Sequence, residues 1–128
     1  WAFAKAGVEA PLLFEAIAAE SRSKIGSFNT QDLSNTAWAF AKAGVSAPKL
    51  FAAISVESAR KSASFPPQNL ANTVWAYATA GVAAPDLFEA VAATLDGGST
   101  KKMATFDSLD LANTVWAFAS AGVSAPAL

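Results

Sequence analysis

The sequence predicts an all-α fold: a right-handed α-solenoid of stacked antiparallel helix pairs, with units of about 37 residues. Three observations carry that expectation. A ten-residue block returns along the chain, as NTAWAFAKAG from Asn35, NTVWAYATAG from Asn72 and NTVWAFASAG from Asn113. Each block ends in Gly and is followed within a few residues by an Ala-Pro pair that opens another apolar segment. Alanine is abundant throughout, which favours helix and lets helices approach closely.

The first copy is partial. Trp1 to Gly7 reads WAFAKAG, the tail of a block, and Pro11 to Ile17 gives the second segment. Tryptophans at 1, 38, 75 and 116 set spacings of 37, 37 and 41. The chain divides into a partial repeat over 1–28, repeats over 29–65 and 66–106, and a partial repeat over 107–128. The extra length of the third spacing falls near residues 96–101, where Asp96-Gly97-Gly98-Ser99 marks a longer turn. The start at Trp1 and the stop just inside a unit read as a piece of a longer protein.

Within a unit, the first helix is expected from about Thr30 to Ala43. Asn29 is a good N-cap with Asp32 three residues on, and Phe28 and Leu33 have the spacing of a hydrophobic staple. Phe65/Leu70 and Phe106/Leu111 repeat that spacing, and Pro66-Pro67 and Asp107 are further start signals. Gly44, Gly81 and Gly122 stand where a left-handed C-cap belongs. Pro48 and Pro85 then open the second helices after a short connector, which implies antiparallel pairs. One pair cannot bury its apolar faces alone; stacked pairs can.

At 100° per residue Leu33, Thr36, Ala37, Phe40 and Ala43 share one face, expected to pack on the second helix of the same unit through Leu50, Phe51 and Ile54. Trp38 lies off that face and is expected to pack against the adjacent repeat. The remaining sector holds Gln31, Asn35 and Lys42, with counterparts Gln68, Asn72 and Thr79, then Leu109, Asn113 and Ser120, and Lys5 from the first copy. One polar position that does not vary and two that do is the pattern of a modular binding groove. The Asn column suits either a ligand contact or a structural ladder, since an amide both donates and accepts. The Trp column suits base stacking or inter-repeat packing. The varying positions suit specificity or plain solvation.

Composition narrows the function classes. There is no Cys and no His, which removes disulfides, thiolate and imidazole metal ligands, and every catalytic arrangement built on either residue. The carboxylates, such as Glu15, Glu20, Glu57 and Glu89, are scattered over second helices with no pair set for acid–base work. No enzyme activity, cofactor or metal is expected. No apolar run is long enough to span a membrane. The net charge of −1 argues against tight non-specific binding to nucleic acid by this chain alone. The basic clusters Arg22/Lys24, Arg60/Lys61 and Lys101/Lys102 suit the negative ends of second-helix dipoles or an edge that tracks phosphates.

The block L-[SA]-N-T-x-W-A-[FY]-A-x-A-G, followed by a Pro-led helix bearing Leu-Phe, resembles the octotricopeptide repeat of organellar proteins. That resemblance implies a helical solenoid that binds a defined stretch of single-stranded RNA in a chloroplast or mitochondrion, in RNA stability, processing or translation. It implies RNA-facing positions at Gln31, Asn35, Lys42, Gln68, Asn72, Thr79, Asn113 and Ser120. The alternative is a structural or scaffold subunit that contacts other proteins inside a large organellar complex such as a ribosome or a photosynthetic or respiratory assembly.

Overall fold

Start and stop signals written into the chain set both ends of the first-type helices and the proline-led starts of the second-type helices. In a computed structural model, which describes residues 11–96 and 104–122, the first-type helices are α2 (Thr30–Ala43), α4 (Pro67–Ala80) and α6 (Ser108–Ala121), and the second-type helices are α1 (Pro11–Ser23), α3 (Pro48–Arg60) and α5 (Pro85–Asp96). Lys5, residues 97–103, where the longer turn was expected, and Pro126–Leu128 lie outside the described residues.

Asn29 and Asp32 form a reciprocal capping box: the Asp32 amide donates to Asn29 Oδ1 at 2.7 Å and the Asn29 amide to Asp32 Oδ2 at 3.0 Å. Asp107 and Asp110 repeat the device on α6, at 2.8 and 3.3 Å. α4 begins instead on prolines, with Pro66 as N-cap and Pro67 as the first helical residue. Each first-type helix ends on glycine in the left-handed region, with φ of 69°, 69° and 70° at Gly44, Gly81 and Gly122. After α1 and α3 the chain takes a single 3-10 turn, Ile25–Ser27 and Ser62–Ser64, which the periodicity alone did not reveal. Ser27 and Ser64 tie these turns back to the Lys24 and Lys61 carbonyls at 2.8 and 2.9 Å.

Packing is chiefly like on like. α2 packs on α4 and α4 on α6, while α1 packs on α3 and α3 on α5. This corrects the expectation that the apolar face of α2 seats mainly on its own second helix: contact within a pair, α2 on α3, is the smaller one. The cause is the row of small residues. Ala37, Ala39, Ala41, Ala71 and Ala76 are buried and let successive first helices approach closely.

Aromatic rings tie one unit to the next by the same move each time. A second-helix Phe meets the first-helix aromatic of the following unit edge to face: Phe14 with Phe40, Phe51 with Tyr77 and Phe88 with Phe118, at ring separations of 5.1, 4.9 and 5.0 Å. Around them Leu33, Leu50, Ile54, Leu70, Leu87 and Val91 form one continuous core. The Tyr77 hydroxyl, buried beside Phe51, donates to the Phe51 carbonyl, and burial pushes its phenol far above the ordinary range. No helix among the described residues is long and apolar enough to cross a membrane.

Candidate nucleic-acid interface

The polar sector foreseen on the first helices forms an accessible row. Gln31, Asn35 and Lys42 are exposed on α2. On α4, Gln68 and Thr79 are exposed and Asn72 is half-buried; on α6, Asn113 is half-buried and Ser120 and Leu109 are exposed. Leu109 breaks the polar column at 66% exposure.

The three asparagines separate the two roles open to them. A structural ladder needs each amide bonded to a neighbouring helix or loop. Among the described residues, no protein group is hydrogen-bonded to the side-chain amide of Asn35, Asn72 or Asn113. All three keep their donors and acceptors for solvent or a ligand. The backbone supporting them is held elsewhere: Thr73 and Thr114, each next to an asparagine, bond back to the Asn69 and Asp110 carbonyls at 2.7 Å.

The tryptophans belong to this same row. Positions 31, 35, 38 and 42 are spaced four, three and four residues apart and so fall on one helical stripe. Trp38 and Trp75 are half-buried, and Trp116 is 47% exposed. Trp75 and Trp116, on adjacent helices, lie 6.5 Å apart with their rings inclined at 36°. Trp75 and Trp116 thus meet between units, on the same stripe as the polar row. The sequence left packing and base stacking both open for this column, and the four-three-four spacing is the signal that sets the indoles beside the polar row.

Cations of two of the basic clusters are paired within the protein, and Lys101/Lys102 lies outside the described residues. Lys24 pairs with Glu20 at 2.8 Å, and Arg60 and Lys61 pair with Glu57 at 2.8 and 3.3 Å. Hydrogen bonding from Arg60 holds the Glu57 carboxyl below its ordinary value, and Lys24 does the same for Glu20. Lys61 also reaches the previous unit, donating to the Phe28 carbonyl at 2.6 Å. These cations sit at second-helix ends, where the dipole favours them. Burial moves Asp110 the other way and raises its pKa. No group of three or more His, Cys, Asp or Glu among the described residues could hold a metal ion.

These features define the class: an all-helical domain of repeated helix pairs, with an accessible amide and indole row along its first helices. The family model for the Tbc2 translation factor, N-terminal domain, matches residues 4–127, and the chain belongs to that family. This corrects the resemblance to octotricopeptide repeats, because the family that matches is a different one. The site positions now stand on their exposure and geometry alone. No curated protein matches the sequence significantly.

Proposed function

We propose that the chain is a single-stranded RNA-binding module that serves translation in an organelle, chloroplast or mitochondrion, and has no catalytic step of its own. Its helix pairs wind as a right-handed α-solenoid, and the RNA runs along the first-helix row. Family membership supports a translation-related role. The observation that carries the RNA reading is the set of amides at Asn35, Asn72 and Asn113, in register on three successive first-type helices and unpaired among the described residues.

In this reading the amides hold the strand or base edges, the partly exposed indoles offer apolar faces for stacking, and the varying neighbours set preference. Those neighbours are Lys42, Thr79 and Ser120 at one end of the stripe, and Gln31 and Gln68 at the other, with Lys5 as the preceding counterpart. With a net charge of −1, discrimination rests on these contacts more than on bulk attraction to phosphate.

A scaffold role is the second reading, favoured by the internal pairing of Lys24, Arg60 and Lys61, which leaves less free charge for a phosphate backbone. Selection from a randomised single-stranded RNA pool at low and high salt separates the two. Enrichment of a short motif, weakened by salt and by Asn72→Ala, is the expected result. No enrichment at low salt would remove the RNA reading and leave protein contacts as the function.

A further inference from the structure

The second-type helices carry a groove of their own. It lies between α1 and α3, which pack on each other, and the connector from α2 to α3 forms part of its wall. Its volume is about 520 Å³. Phe14, Phe40 and Leu50 are buried beneath it and Val45 is half-buried, so the floor is apolar. The rim is charged: Glu15, Arg22 and Lys49 are all exposed. None of Gln31, Asn35, Trp38 and Lys42 lines it, so it is separate from the row on the first helices.

The stack repeats the groove one unit on, between α3 and α5, which makes it a feature of adjoining units and not of an end. Phe51, Tyr77 and Val82 line that copy where Phe14, Phe40 and Val45 line the first, but its volume is only about 260 Å³. The rim changes as well. Ala52 stands for Glu15, Ala59 for Arg22 and Asp86 for Lys49. Two cations against one carboxylate in the first groove give way to Asp86 as the one charged group among the described lining residues of the second.

Arg22 and Lys49 have no ion-pair partner among the described residues, whereas Lys24, Arg60 and Lys61 are all paired. Two unpaired cations over an apolar floor match a ligand that joins carboxylate to large apolar side chains. The exposed rim leaves the groove open along its length, which suits an extended chain better than an enclosed small molecule. From Phe14 to Arg22 the helix rises about 12 Å, the length of roughly four extended residues. We infer that this groove takes a short acidic peptide segment of a partner protein, its carboxylates on Arg22 and Lys49 and an aromatic or aliphatic side chain over Phe14 and Phe40. The site does not depend on the RNA reading, because it shares no residue with the RNA row.

Selection of a displayed library of random twelve-residue peptides on the whole chain tests this, followed by fluorescence anisotropy of the enriched peptide. The peptides recovered should join Asp or Glu to a large apolar residue within about four positions. Arg22→Ala with Lys49→Asp installs the residues that the repeat itself carries at Ala59 and Asp86, and should weaken binding about tenfold or more. Glu15→Ala, the residue at the equivalent Ala52, should tighten binding about threefold, a gain that misfolding would not produce. Asn72→Ala should leave it unchanged. No enrichment, enriched peptides without acidic residues, or an affinity indifferent to both groove variants overturns the inference. So does displacement of the peptide by single-stranded oligouridylate, which would give the groove to nucleic acid, or by excess unlabelled Arg22→Ala/Lys49→Asp protein, which would give it to a second copy of the chain.

Discussion

Lys61, at the end of α3, donates to the carbonyl of Phe28, just before α2, at 2.6 Å, across 33 positions of sequence. Its ammonium also lies 3.3 Å from Glu57, and its side chain is only 24% exposed. The contact fixes the end of one second helix to the linker that ends the preceding unit. Lys24 occupies the same place one unit earlier but pairs only along its own helix, with both partners about two-thirds exposed. Lys61→Met should therefore lower stability by about 1 kcal/mol, while Lys24→Met stays within about 0.5 kcal/mol of wild type. Urea denaturation of the two variants side by side measures the contrast.

The buried hydroxyl of Ser34 has no hydrogen-bond partner. The repeat itself supplies the remedy, because the equivalent residue of α4 is Ala71, 0% exposed. Ser34→Ala removes an unsatisfied polar group at little loss of volume and should stabilise the protein by about 1 kcal/mol. A thermal melt that moves down instead would show that the hydroxyl has a partner in solution.

Gly81 ends α4 at φ 69°, and a Cβ built there meets nothing within 4 Å. The cost of Gly81→Ala is thus conformational and not steric, about 1 kcal/mol or slightly more. Gly26 also has open space around it, at ordinary φ, so Gly26→Ala should be neutral or mildly stabilising in the same chemical denaturation series.

Two carboxylates give pH dependences of opposite sign. The Glu57 pKa is lowered by hydrogen bonding from Arg60, so its contribution is present above the ordinary value of 4.5 and is lost as pH falls through the lowered one. The stability difference between wild type and Glu57→Gln should shrink across that acid window. Asp110 is raised above its ordinary 3.8, chiefly by burial, so protonation favours the fold and stability is lost as pH rises through the raised value. Asp110→Asn, the side chain that stands at the equivalent Asn69, keeps the cap acceptor and should gain on wild type as pH rises. Denaturant midpoints from acid to neutral pH read both trends.

The local signals were legible because each acts within a few residues. Asn29 with Asp32, Asp107 alone, Pro67, and the glycines at 44, 81 and 122 named the helix ends the structure shows. The partner of each face was not legible. Leu33 and Ala37 have the same apolar character whether they meet α3 or α4, and only the closeness allowed by the alanine row decides for α4. For the Trp column the sequence left packing and base stacking open, and Trp38 shares its stripe with Asn35 and Lys42, a double role that an apolar–polar division conceals. The family was misread because the repeat block speaks to helical packing, which different families share.

The most direct test of the RNA reading is the affinity of a chain carrying Asn35→Ala, Asn72→Ala and Asn113→Ala for the RNA motif recovered by selection, measured at fixed salt beside the wild type. Because none of these amides is bonded among the described residues, the melting temperature should hardly move. Loss of about 1 kcal/mol of contact per amide predicts roughly a 100-fold weaker Kd. An unchanged Kd would contradict the account, and a large drop in melting temperature would make the asparagines a structural ladder after all.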